Sequence, residues 1–181
     1  MNHAEDIWKT LLRATVDKKH PWRVVGFSTS GQHGPAARSV ILRGVLAADR
    51  RLVFYTDRRS TKMTDIAHCT KVALLFWNPK ANTQLRVCGN AGSESSELIV
   101  NDLWLRIPDY ARKDYATLSA PGHALDSAQS GYDLNAARSN FVVLNVDVVE
   151  MEWLSLSREG HQRMLFTLDD AGQWQPRALV P

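Results

Sequence analysis

Four segments of this 181-residue chain decide how it folds: ARSVILRG (Ala37 to Gly44), LVFYTDRRSTK (Leu52 to Lys62), VALLFW (Val72 to Trp77) and TQLRVCGNA (Thr83 to Ala91). β-branched and aromatic residues dominate each of them, and polar clusters separate them, so they read as strands. The first strand extends to Leu46, and Ala48-Asp49-Arg50 is a hairpin loop into the second. Between the second and third, Asp57 and Ser60 are both candidate caps for a short helix reaching His68. Pro79-Lys80-Ala81-Asn82 joins the last two strands, Lys71 to Asn78 and Thr83 to Glu94.

On the N-terminal side, Ile7, Trp8, Leu11 and Leu12 repeat at helical spacing, in a helix that ends before His20-Pro21. Arg23 to Ser30 reads as a further strand, turned back by the Gly31 to Pro35 cluster. On the C-terminal side, serines 93, 95 and 96 precede a helical pattern at Leu98, Ile99, Leu103 and Leu105. Pro108 interrupts it, and Asp109 to Ser119 is a candidate second helix. Ala120 to Ser139 is rich in Gly, Ser, Asn and Asp and reads as a surface loop. From Phe141 the alternation is strictly β, with Val142, Leu144, Val146 and Val148 on one face, and the strand runs to about Leu156. Turns at Arg158-Glu159-Gly160 and Asp169 to Gly172 then frame strands His161 to Leu168 and Trp174 to Leu179. At least seven strands, many joined as hairpins, with no strictly alternating βαβ units, fit a single α+β, mainly β, domain over residues 1–181. The expected architecture is an antiparallel barrel with short helices packed outside.

Composition excludes several function classes. The apolar fraction of 44% is that of an ordinary globular protein. The opening MNHAEDIWK mixes charges and lacks an apolar core, so no signal peptide is expected. No apolar run approaches the roughly 20 residues of a membrane helix. The expected location is the cytoplasm, with no membrane partner. Cys69 and Cys88 are isolated and read as free thiols, and His68-Cys69 has no second pair with which to hold a metal. A net charge of +3 hints at anionic partners, but the basic residues are scattered and no nucleic-acid motif is present. Their tightest group, Arg58-Arg59 with Lys62, suits a small phosphate instead.

A helix start offers unpaired backbone N–H groups and the positive end of a dipole. Ser60, Thr61 and Lys62 add two hydroxyls and a cation, and Arg38 on the neighbouring strand could bring a bidentate guanidinium. Read alone, the same residues also describe a capped, solvated helix end.

The order and content of these motifs resemble the pyridoxamine 5′-phosphate oxidase family, an FMN-binding split β-barrel. Its members open a strand with R-x-V-L-L-K, continue with V-F-Y-T-N-x-x-S-R-K, and carry R-Q-V on a later strand. This chain has Arg38-Ser39-Val40-Ile41-Leu42-Arg43, then Val53-Phe54-Tyr55-Thr56-Asp57 with Ser60-Thr61-Lys62, then Thr83-Gln84-Leu85. The family's I-E-F-W element, the arginine ten residues after its Trp, and a closing R-L-A-P are also matched. Here they are Glu150-Met151-Glu152-Trp153, Arg163-Met164-Leu165-Phe166 and Arg177-Ala178-Leu179-Val180-Pro181. The resemblance implies that Arg38, Ser60, Thr61 and Lys62 hold the FMN phosphate. Tyr55, Thr56 and Gln84 would contact the cofactor, the backbone of Val40, Ile41 and Leu42 would border the flavin ring, and Trp153 and Arg163 would meet that ring. It also implies a homodimer with FMN at the subunit interface, one chain supplying phosphate contacts and the other ring contacts.

Arg38 and Arg43 stand an odd number of residues apart, so a regular strand sends them to opposite faces. If both touch one cofactor site, a bulge or strand end must intervene, with Gly44 a candidate neighbour. Otherwise Arg43 is an exposed strand residue. On the substrate side, a gap-free reading of the helical stretch sets Asp102, Arg106 and Tyr110 where the family has Tyr, Arg and Ser. Glu159-Gly160-His161 stands where it has Arg-x-His. Arg106 and His161 are thus the candidate substrate residues, and an acid at the place of a cationic clamp repels a phosphate. The expectation is an FMN-dependent oxidoreductase acting on a small molecule other than the vitamin B6 phosphates. The alternatives are a flavin- or haem-binding protein without turnover, and a barrel holding another cofactor such as a deazaflavin. The polar set Arg38, Ser60, Lys62, Gln84 and Arg163 favours FMN over haem.

Overall fold

The computed structural model describes residues 4–32, 34–124 and 131–181. Eight strands, β1 Val24–Gly31, β2 Gly34–Leu46, β3 Arg51–Asp57, β4 Lys71–Asn78, β5 Thr83–Ser93, β6 Phe141–Ser155, β7 Gln162–Leu168 and β8 Trp174–Leu179, form one antiparallel sheet. Their order is β3-β2-β1-β4-β5-β6-β7-β8, and a β3–β6 pairing closes the first six into a barrel while β7 and β8 extend from β6. The fold is a split barrel.

Strand β6 makes this possible. Along one edge it pairs with β5, while the other edge pairs with β3 from Phe141 to Asp147 and with β7 from Glu150 to Ser155. The change of partner falls at a bulge: Gly89 faces Val148 and Cys88 faces Glu150, so Val149 has no opposite number on β5. Gly89 is required there, because a Cβ would stand 2.5 Å from the Asp147 carbonyl oxygen and 2.8 Å from the Val146 Cγ1.

Two apolar clusters follow from the alternation of side chains. Phe27, Leu42, Leu52, Phe54, Leu74, Leu85, Val87, Leu144 and Met151 fill the barrel, and helix α1 (Ala4–Val16) adds Ile7, Trp8 and Leu11 to the same cluster. The opposite faces of β3 and β6 send Val53, Phe141 and Val143 into a second cluster with Val100 of helix α3 (Glu97–Leu105) and with Ile107 and Tyr115. The start of β6 is therefore buried on both faces, which explains its run of apolar residues.

Two expectations are corrected. Asp109 to Ser119 holds only a four-residue turn of helix, α4 (Asp109–Arg112), and a 3-10 turn, Lys113–Tyr115. The Ala120 to Ser139 stretch is not loop throughout: Tyr132 bridges Thr117, and α5 (Ala137–Asn140) leads into β6. Residues 125–130 of that stretch lie outside the described residues. No described helix is long and apolar enough to cross a membrane.

Candidate functional site

The candidate residues fall into three groups. The first lies where helix α2 (Thr61–His68) follows β3. Thr56 and Ser60 are buried, with hydroxyls 3.3 Å apart, and the Lys62 Nζ donates to both, at 2.9 Å and 3.0 Å. Ser60 is the residue before the helix but does not cap it with its side chain, since its hydroxyl donates to the Asp57 carbonyl at 2.7 Å. Thr61 opens the helix and is exposed. Arg38 reaches in from β2, donating through Nη1 to Thr29 at 2.6 Å and through Nη2 to Asp65 at 3.3 Å. Burial pushes the Lys62 amine below its usual range, and the charge of Arg38 lowers it further. Among the described residues no carboxylate pairs with Lys62. Two buried hydroxyls and two cations with one partner acid leave the group in need of an anion, which is the chemistry of a phosphate cradle. The FMN phosphate fits this donor set.

Arg59 does not belong to that cradle, although it sits in the same basic run. It grips the buried Asp57 carboxylate through Nε at 3.0 Å and Nη2 at 2.7 Å, and its Nη1 donates to the Thr117 carbonyl at 2.8 Å. It ties the 115–119 segment to the end of β3.

The second group lies on the other face of the sheet. The register of β2 against β3 slips between Leu42 and Gly44, so the bulge expected beside Gly44 exists. It does not bring Arg43 to Arg38. Leu42 points into the barrel, whereas the Arg43 guanidinium lies 5.5 Å from the ring centre of Tyr55, which belongs to the outer cluster. Arg43, Tyr55, Arg106, Tyr110 and Tyr115 line a cleft of about 270 Å³. Burial pushes the Tyr115 phenol up to about 12, so it remains a proton donor at neutral pH. Arg106 is exposed and paired with Asp102 at 2.6 Å. Val40 packs toward the barrel and Ile41 is exposed, while their backbones pair with Val25 and Val24 of β1.

The third group is remote. Thr56 pairs with Val142 near one end of β6, and Trp153 lies eleven residues farther along, roughly 35 Å of strand at about 3.3 Å per residue. Gln84 is half-buried and pairs with Leu154, next to Trp153. Trp153 faces the barrel core, 5% exposed, and its indole N–H is buried without a partner among the described residues. Because Trp153 pairs with Met164, Arg163 projects from the opposite face of the sheet. There it is bound to Glu152. His161 is exposed in the β6–β7 hairpin, and its Nδ1 accepts the Ser157 N–H at 3.2 Å, which assigns the ring N–H to Nε2. Glu152 was not among the expected site residues: an acid on a strand reads as solvent-facing, and only the register reveals its two arginine partners.

Comparison with known proteins agrees with this geometry. The family model for the FMN-binding domain of pyridoxamine 5′-phosphate oxidase matches residues 5–93, from α1 to the end of β5. The pyridoxine/pyridoxamine 5′-phosphate oxidase of Chromobacterium violaceum is 28% identical, over 97% of this chain and 86% of that protein. A pyridoxamine 5′-phosphate oxidase-related, FMN-binding protein from Nostoc punctiforme superposes with a TM-score of 0.79 at 24% identity, covering 100% of both chains. PhzG from Burkholderia lata, solved with tetrahydrophenazine-1-carboxylic acid, superposes with a TM-score of 0.76 at 18% identity, over 100% of this chain and 94% of that one. The chain is similar to pyridoxamine 5′-phosphate oxidase-like, FMN-binding split-barrel proteins.

Proposed function

We propose that the protein is an FMN-dependent oxidoreductase acting on a small molecule, working in the cytoplasm as a homodimer with FMN bound at the subunit interface. The observation that carries this reading is the anion-deficient cluster of Arg38, Thr56, Ser60 and Lys62 at the start of α2. Those residues, with the exposed Thr61, would hold the FMN phosphate. FMN would supply a hydride acceptor at N5 and pass the electrons to oxygen or another acceptor. The chain's own contribution is to bind and orient the cofactor and to shape the substrate cleft.

The spacing supports a dimer. Arg163 on β7 lies far along the sheet from Thr56, which favours a flavin-ring contact supplied by a second copy, whereas Trp153 turns to the barrel core on the opposite face. An exposed apolar face is available for it, with Val24, Ile41, Leu75 and Trp77 on neighbouring strands.

The substrate differs from the vitamin B6 phosphates. In the Arg43–Tyr55 cleft, Asp102 neutralises Arg106, and Asp114 adds a carboxylate to the lining. Glu159 stands in the hairpin beside His161, where a phosphate clamp would need a cation. The His161 Nε2 proton is available to orient or protonate a substrate atom.

The test is an absorption spectrum of the purified protein before and after FMN titration, with sedimentation analysis of the same sample. Flavin bands that saturate at one FMN per chain in a dimer are expected. A colourless protein that takes up no FMN overturns the cofactor assignment, and a haem Soret band would replace it.

A further inference from the structure

The reaction so far has no use for the most buried acid of β6. Glu152 is 4% exposed, yet both of its oxygens are occupied. Oε1 accepts from Arg163 Nε at 3.1 Å and Nη2 at 2.9 Å, and Oε2 accepts from Arg86 Nη2 at 2.7 Å. Arg86 is its direct partner on β5, whereas Arg163 reaches in from β7, where it faces Leu154. For a carboxylate withdrawn from water this far, guanidinium groups at both oxygens offset the cost of burial.

The geometry of the grip matters. Glu152 takes the Nε–Nη2 edge of Arg163 and leaves Nη1 without a partner among the described residues. Arg163 lines an open cleft of about 460 Å³ with His161, Met164 and Leu179. One edge of the guanidinium is thus fixed, the other faces outward, and a negative charge lies directly behind it.

We infer that Glu152 is a positioning residue that holds Arg163 toward the flavin ring and offsets its positive charge there, weakening the preference of the site for reduced FMN. This rests on the reading that Arg163 meets the flavin. Reduction adds negative charge to the ring, and an unpaired guanidinium stabilises that charge more than one already neutralised by a carboxylate.

The test is the midpoint potential of FMN bound to the full-length wild type, Glu152→Gln, Arg86→Gln and the Glu152→Gln/Arg163→Gln double variant. Thermal unfolding and FMN affinity are measured on the same samples. Glu152→Gln is expected to favour reduced over oxidised FMN about tenfold more than wild type, a rise of about 30 mV for a two-electron couple. Arg86→Gln takes a cation from both Glu152 and Glu150, leaves Glu152 undiluted on Arg163 and shifts the potential down. The double variant shows no rise from the loss of Glu152, because the carboxylate acts through Arg163. A Glu152→Gln protein that melts earlier but keeps the wild-type potential overturns the inference and leaves Glu152 a structural ion pair. If Glu152→Gln does not fold, Arg86→Gln decides alone: a downward shift supports the inference and an unmoved potential overturns it. A wild type that binds no FMN sinks the cofactor reading as well; FMN bound at an insensitive potential sinks only the role of Glu152.

Discussion

Around α2, Lys62 donates only to hydroxyls and Arg38 shares one acid, Asp65, whereas across β5, β6 and β7 the cations Arg86 and Arg163 close on the buried carboxylate of Glu152, and Arg86 also meets Glu150. Both regions are half-buried and rich in charge, yet one is short of negative charge and the other has supplied its own. Lys62 is held below its usual range by burial and by Arg38. An incomplete cluster is a place for a ligand; a completed one is a support. The contrast separates residues that bind from residues that orient.

The comparison breaks most visibly if the cations of the first region are removed. Arg38→Ala with Lys62→Ala deletes two charge-assisted contacts, each worth about 1.5–3 kcal/mol. Retention of FMN is expected to fall at least ~100-fold in equilibrium dialysis, with circular dichroism showing a folded protein. Retained tight binding would mean that the cluster is not the phosphate site. Next in size is Arg59→Met. It strips the buried Asp57 of its partner and should lower stability by about 1–3 kcal/mol in denaturant titration, with little direct effect on FMN. An FMN defect as large as that of the Arg38/Lys62 pair would move Arg59 into the binding set.

A pH series gives a graded version of the contrast. The folded Lys62 amine has a pKa below its ordinary value of 10.5, chiefly because it is buried. Its protonated form therefore opposes folding, and this penalty is fully present below the lowered pKa and disappears as pH rises to about 10.5. Stability without FMN should gain from that rise in wild type and not in Lys62→Met. FMN affinity, which needs the charged amine, should weaken over the same window. The smallest effect is expected from Asp102→Asn. It frees Arg106 from an exposed pair of the kind worth about 0.2–1 kcal/mol, so affinity for pyridoxal 5′-phosphate should rise by no more than a few-fold in fluorescence titration. A rise of a hundredfold would make Asp102 the determinant that rejects phosphates.

Much of this was legible in the residues themselves. Strand β4 begins at Lys71 and ends at Asn78, as its alternation predicts, and the Ser60–Lys62 hydroxyls and amine meet because they flank one helix start. What escaped depends on register between distant segments. The basic run gives Arg58, Arg59 and Lys62 equal standing; only the fold turns Arg59 onto Asp57 and Thr117. The bulge between Leu42 and Gly44 could be anticipated from parity, but not that Arg43 would still stack on Tyr55 away from Arg38. Glu152 was hidden for the same reason, since burial on the outer face of a sheet is supplied by neighbours that periodicity does not name.

The double pairing of β6 also has a consequence for how the chain is made. Arg51 on β3 meets Asp147 on β6, 96 residues later, and the whole length of β5 likewise pairs with that strand. During synthesis, β3 and β5 therefore leave the ribosome with open hydrogen-bonding edges that find their partner only once residues 141–155 have emerged. A nascent chain stalled before Phe141 would carry two sticky edges and an unfilled barrel, a species prone to self-association. Late closure leaves the barrel open until residues 141–155, in the last quarter of the chain, have emerged.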